Sequence, residues 1–388
     1  PRLASMKIPI FAAALLAFVT AAHSLGAPQP EPLEDGARLI LIGNGFGSRM
    51  AEFGSFEAEV HRRHYGKRIF IRNLCDEGNT PGFRPHSARP SPWAFPGAEK
   101  YYPERSKAKD RWGSGHTGHG SMPTPDEWLT KLKPDMIVAF FGYNESFRGP
   151  AGLDAFKAEL RDFVRHTKSQ QYDGKAAPKL ALVSPTAFED LSATHGTPDG
   201  TVENANLALY TAAMDEVAKG EGLLFVNLFN ETQAMIARAD WTPLTRDGAL
   251  LTQRSYALLA GDLAGGLFGA GTAGGDPGPV LEHIRGLVVE KNWMWNMFYK
   301  IPNGVHVYGR RHRPFGPVNY PAELKKLQEL TDVRDRAIWA FMEGDQNFDV
   351  AAEDAKTHPL PEIESNYKPS NKNGTVDYLY GDDALATM

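Results

Sequence analysis

The sequence predicts a three-layer α/β/α sandwich built on a five-stranded parallel, flavodoxin-like sheet, with a helical C-terminal appendage. Two observations predict it: five short apolar runs recur along the first 230 residues, and amphipathic helical patterns separate most of them. Strands that alternate with helices pair in parallel, because each crossover helix covers a face of the sheet.

The runs come in order. "ARLILIG" (Ala37 to Gly43), "RIFIRNL" (Arg68 to Leu74), "DMIVAFFG" (Asp135 to Gly142), "KLALVSP" (Lys179 to Pro185) and "GLLFVNL" (Gly222 to Leu228) each have the length of a buried strand. Between the third and fourth, Leu153, Phe156, Leu160, Phe163 and Val164 fall at helical spacing, with Pro150 where a first turn tolerates it. Leu207, Tyr210, Met214 and Val217 repeat the pattern before the fifth. A strand order of 2-1-3-4-5 is the simplest arrangement, and it places ligands beyond the C-terminal strand ends.

The remaining segments are of other kinds. Arg2 and Lys7, the apolar stretch from Ile8 to Ala22 and the small residues after it have the layout of a secretory signal peptide over residues 1–27, so export to periplasm or medium is expected. That apolar stretch is too short for a stable membrane span, which needs about 20 residues. A long insertion, residues 81–122, is rich in Pro, Gly, Arg, His and aromatic residues, as functional lids and mobile loops are. Within it His116 and His119 are flanked by glycines, which favours a solvated loop over a metal site. The layered domain is expected over 37–265, the helical appendage over 279–345 and an extended tail or linker over 346–388. In the appendage Trp293, Trp295, Phe298 and Tyr299 fall at helical spacing and are expected to be core, and Arg310, Arg311 and Arg313 a solvated face.

Composition excludes several functions. A net charge of −5 supplies no basic footprint for nucleic acid. Cys75 is the only cysteine, so neither an intrachain disulfide nor a cysteine metal cluster can form. "LILIGNGFGSRM" raises the question of a nucleotide cofactor, but that fingerprint needs G-x-G-x-x-G and an acidic residue ending the second strand. Gly43, Gly45 and Gly47 give G-x-G-x-G, and the second run ends in Asn73-Leu74-Cys75. No cofactor is expected, and three glycines alone are also what a tight structural turn contains.

Polar groups gather at the predicted strand ends: Asn44 after the first, Gly78 and Asn79 after the second, Asn144 in "GYNES" after the third, and Asp247 in "PLTRDGALLT". Glycine-turn N–H groups and Asn amides are donors of the kind that stabilise an oxyanion. Glu145 is expected to be a scaffold hydrogen-bonder, with Arg148 as its surface partner. In this order the blocks resemble the SGNH (GDSL-like) hydrolase superfamily, whose blocks are G-D-S, a glycine, G-x-N-[DE] and D-x-x-H. They align with Gly43-Asn44-Gly45, Gly78, "GYNE" and Asp247-Gly248-Ala249-Leu250. More narrowly, "FFGYNESFRGPAGL", "NLALYT", "VVEKNWMW" and the closing "YLYGDDALATM" resemble domains of this superfamily in large exported bacterial proteins, ahead of a propeller dehydrogenase and a haem-binding module.

The resemblance, over residues 37–388, implies a fold whose relatives hydrolyse esters, often on acylated carbohydrates. It also implies what is missing. The nucleophile position is Gly45 and the general-base position is Leu250, and neither can attack or accept a proton. Asp247 remains of the triad, able instead to cap the helix that follows; Gly78, Asn144 and Asn44 remain as oxyanion or ligand-binding groups. The expected role is therefore binding a small acylated or oxygen-rich ligand such as a carbohydrate, or a partner such as the dehydrogenase or haem module. The alternative is an active ester hydrolase with Ser48, the nearest hydroxyl, as nucleophile, or with a histidine from the insertion or from "VHVYGRRH".

Overall fold

A computed structural model describes residues 28–85, 92–102, 123–238, 242–271, 277–300, 320–362, 367–370 and 377–380. Five parallel strands form the central sheet in the order β2-β1-β3-β4-β5: β1 Arg38–Gly43, β2 Phe70–Asn73, β3 Met136–Phe140, β4 Lys179–Val183 and β5 Leu224–Val226. The predicted order is thus observed, with β1 paired to β2 through Leu39↔Ile71 and to β3 through Leu41↔Val138.

Alternate residues of the strands feed two cores. Ile40, Ile42, Ile137, Ala139 and Leu182 face α5 (Leu153–Ser169) and α7 (Thr201–Glu221), where Phe156, Leu160, Tyr210 and Met214 are buried. Leu39, Leu41, Val138, Phe140 and Val183 face α1 (Gly45–Phe53), α2 (Ser55–Arg63) and α9 (Gln253–Phe268), which contribute Met50, Phe56, Val60, Leu259 and Leu263. This two-residue alternation makes every strand an apolar run, because both faces are covered. The crossover before β3 ends in α3, Pro125–Leu132, started by a capping box between Thr124 and Glu127. Short helices fill the connections: α4 Tyr143–Ser146 after β3, α6 Ser192–His195 after β4, and α8 Leu228–Ile236 after β5.

The appendage consists of α10, Pro277–Tyr299, and α11, Tyr320–Met342, packed on each other and on α2. Neither helix, nor any other among the described residues, is long and apolar enough to cross a membrane. The pair lies along the outer edge of β2. The outward carbonyls of Ile69, Ile71 and Asn73 accept hydrogen bonds from Trp339 Nε1 at 2.9 Å, Lys291 Nζ at 3.2 Å and Trp295 Nε1 at 2.7 Å. Beneath them sits a buried charged cluster: Lys291 meets Glu57, and Asp335 meets Lys291 at 3.9 Å and Arg72 at 2.6 Å.

Trp295 and Tyr299 are buried against Trp128 of α3, whereas Trp293, 58% exposed, is not core. The stretch expected to be extended is partly folded: α12, Val350–Asp354, packs on α11, and Tyr367–Ser370 (β6) pairs antiparallel with Asp377–Tyr380 (β7). Within the insertion, the start is fastened to α5, where buried Glu159 accepts from Gly82 N at 2.8 Å, Thr80 Oγ1 at 2.9 Å and Tyr102 Oη at 2.7 Å. The signal-peptide segment 1–27, His116, His119 and the arginines 310, 311 and 313 lie outside the described residues.

Candidate functional site

The glycine turn after β1 is explained by contact. A Cβ at Gly43, whose φ is +135°, would fall 2.2 Å from the Phe140 carbonyl oxygen; one at Gly47 would fall 2.5 Å from Cys75 Sγ. Both positions require glycine for close approach of backbone and core. Gly45 is different. A Cβ there meets nothing nearer than Glu77 Cγ at 3.6 Å, so a serine would fit at this position without a clash.

A cavity of about 240 Å³ opens at the C-terminal ends of β1, β3 and β4. Asn44, Gly45 and Phe46 line it from the start of α1, Tyr143 and Asn144 from the turn after β3, and Ser184 to Thr186 from the end of β4. Ala249, Leu250 and Leu251 close a further side, so Gly45 and Leu250 face one space, as the strand-end rule places them. Gly78 is not among the lining residues; its neighbour Glu77 is.

The polar side chains expected at the site, Asn44, Asn144 and Asp247, are each engaged within the chain. Asn44 caps α1, its side-chain oxygen accepting from Phe46 N at 3.3 Å. Asn144 spends its amide N–H groups on the carbonyls of Glu77, at 2.8 Å, and Asn79, at 2.9 Å. It thereby clamps the loop around Gly78, and what it leaves for a ligand is an acceptor, the opposite of what an oxyanion needs. Asp247 Oδ1 accepts from Ala249 N at 3.0 Å and Leu250 N at 2.8 Å. It closes its own turn and does not cap the next helix, whose N-cap is Thr252. That turn is held to the domain by buried Glu189, which accepts from Leu244 N and from Thr245 N and Oγ1. Leu250, 43% exposed, is thereby presented at the cavity rim.

Ser48 sits one helical turn on from Gly45, is buried, and does not line the cavity. Its hydroxyl donates to Glu77 Oε1 at 2.9 Å and accepts from Lys300 Nζ at 2.6 Å, while Lys300 also faces Asp76 at 3.6 Å. Burial pushes the Glu77 carboxyl up, but the hydrogen bonds from Asp76 and the backbone, the Lys300 charge and the Ser48 hydroxyl outweigh it and hold it down at about 2. A carboxylate that acidic is a poor base for a serine proton near neutral pH. The group therefore serves to tie the end of α10 to α1.

Glu145 has a different environment from its neighbours. It is fully buried, and its Oε2 accepts from Gly142 N at 2.7 Å. Its expected partner is corrected: Arg148 bonds Tyr102 Oη at 3.0 Å and faces Glu159 at 3.8 Å. Burial, with the Glu159 charge, pushes the Glu145 carboxyl up to about 8. An acid whose pKa is raised on folding stabilises fully below its unfolded pKa, and that contribution is lost as pH climbs through the folded value. Stability is therefore expected to fall between about pH 4.5 and 8 through this group, by a few kcal/mol. Glu145→Gln keeps the Gly142 contact and should flatten that slope; identical melting curves against pH for both proteins would refute the assignment.

Sequence reading missed the charged donor among the cavity's described lining residues. Arg49 lines it beside Tyr256, its Nε is buried with no hydrogen-bond partner, and its ion-pair contact among the described residues is Glu52 at 3.9 Å. Its place four residues after Gly45 on one helix was a usable signal, since such residues share a face.

No protein-family model matches the chain, and no curated protein does. Among solved structures it is similar to a GDSL-like lipase from Parabacteroides merdae, with 12% identity, a TM-score of 0.42 and coverage of 61% of this chain and 99% of that one. An acetylxylan esterase from Geobacillus stearothermophilus gives 15% identity, a TM-score of 0.38 and coverage of 61% and 96%. A gut microbial diltiazem-metabolizing enzyme gives 11%, 0.42, and 62% against 49%. The fold class itself rests on the parallel sheet, its strand order and its two helical layers.

Proposed function

We propose that the chain is an exported domain of the SGNH hydrolase type that has lost ester hydrolysis and binds a small oxygen-rich ligand, such as an acylated carbohydrate, in the cavity at Gly45. One observation carries this reading. The cavity that Gly45 and Leu250 share has no histidine or cysteine among its described lining residues, and of its four hydroxyls, at Tyr143, Ser184, Thr186 and Tyr256, those of Ser184 and Tyr256 already donate to Pro185 O and Phe46 O. Acyl transfer needs a nucleophile with a base in reach. Binding needs only an apolar wall and a few directed polar groups, here Phe46, Phe140, Leu250 and Tyr256 around the Arg49 guanidinium. Export, and a place beside a dehydrogenase or haem-binding module, belong to the same proposal through the N-terminal and C-terminal sequence resemblances.

The test pairs turnover with binding. The native chain is expected to hydrolyse neither p-nitrophenyl acetate nor acetylated sugars above background, and Ser48→Ala to change nothing. Acetylated sugars should bind saturably, and Arg49→Ala should weaken them at least about tenfold by removing a charged donor. Turnover that Ser48→Ala abolishes would overturn the reading in favour of an active hydrolase.

A further inference from the structure

A second cavity, of about 710 Å³, shares no lining residue with the first. It lies between α3, the outer edge of the sheet and the two appendage helices. Trp128, Trp295, Phe298, Trp339 and Phe70 make its walls, an aromatic density that a solvent-filled space does not require.

Its charges do not balance. Arg72 is neutralised by Asp335 at 2.6 Å and Asp332 at 3.3 Å, and Arg336 by Glu353 at 2.9 Å. Arg38 and Lys131 also line the cavity, and neither has a carboxylate within ion-pairing distance of its side chain among the described residues. The Arg38 guanidinium donates Nε to Leu132 O at 2.5 Å and stacks 3.7 Å from the Phe70 ring centre, a ring that also takes Arg72 at 3.9 Å. Burial, and after it the Arg72 charge, lowers its pKa against the opposing pull of Asp335, Asp135 and Asp332, none of which reaches the guanidinium as an ion pair. Lys131 lies 5.4 Å from the Trp128 ring centre and is exposed at the rim. Both cations thus converge on the end of α3, beside the tryptophan wall.

We propose that this cavity binds a ring-bearing carboxylate, with the ring face on the tryptophans and the carboxylate held by Arg38 and Lys131. The volume falls within the range of small-molecule sites. Guanidinium is the side chain best shaped to grip a carboxylate through paired hydrogen bonds. An acidic sugar and an aromatic acid present the same chemistry, an apolar ring face with one carboxylate at its edge.

The test is tryptophan fluorescence of the full chain titrated with galacturonate, glucuronate and phenylacetate, with glucose as the neutral control. The first cavity has no tryptophan in its described lining, so the signal separates the two sites. A saturable change with the acids and none with glucose is expected, and whether uronate or phenylacetate saturates first names the source. Lys131→Gln and Arg38→Gln should each weaken binding at least about tenfold, and Arg38→Lys should restore part of it. Lys131 is exposed, so its variant decides the matter if Arg38→Gln does not fold. No saturation by any acid up to about 10 mM, an equal response to glucose, or full affinity in Lys131→Gln would each overturn the proposal.

Discussion

Gly45→Ser combined with Leu250→His is expected to create ester hydrolysis at least about a hundredfold above the native background, with neither single change doing so. The serine has room at Gly45, the histidine would rise from the rim of the same cavity, and Asp247 lies three residues before it in the turn that aims it. Nucleophile and base act as a unit, which is why the single variants should be silent. The gain should stay well below the roughly millionfold that a full triad contributes. Two reasons are visible: Asp247 is partly engaged by its own turn, and the amide of Asn144 is turned to the loop around Gly78. Freeing that amide should raise the rate further. A double variant that folds, with both side chains in the cavity, and still fails to acylate would show that this site does not descend from a hydrolase.

The second large effect is on stability. Lys291→Met should cost about 3 to 5 kcal/mol in urea unfolding, because it leaves the buried Glu57 carboxylate without its cation, whereas Asp335 keeps Arg72 at 2.6 Å. Replacing both partners is a different matter. In Lys291→Met with Glu57→Gln most of the loss should return, since no uncompensated charge remains at position 57 beside the methionine. The new amide can also still meet Asn292, which in the native chain donates to Glu57 at 3.1 Å. A loss under about 1 kcal/mol for the single variant would mean that water or local rearrangement already screens the cluster.

The layered domain was legible because parallel strands covered on both faces are written as unbroken apolar runs, and β1 to β5 fall within the five runs. The ends differ by a few residues: β2 begins at Phe70 where the run begins at Arg68, and β5 spans only Leu224–Val226. The site was half legible. Motif order brought Gly45, Asn144 and Leu250 to one cavity, but a motif does not say where a side chain points, so the spent amide of Asn144 and the open guanidinium of Arg49 were invisible. The charged cluster could not be read at all. Arg72 and Asp335 stand 263 residues apart, and each taken singly looks like a surface residue.

The bonds from Trp339, Lys291 and Trp295 to the three outward carbonyls beside and within β2 have one more consequence. A free sheet edge is a template on which another molecule's strand can grow, and natural proteins mask such edges. Here the mask consists of side chains, which occupy the acceptors without offering a new edge behind them. The appendage is therefore a guard against intermolecular strand addition as well as a second set of helices. A chain cut after α9 would uncover that row of acceptors together with the apolar flank beneath it, and its first failure would be self-association rather than unfolding.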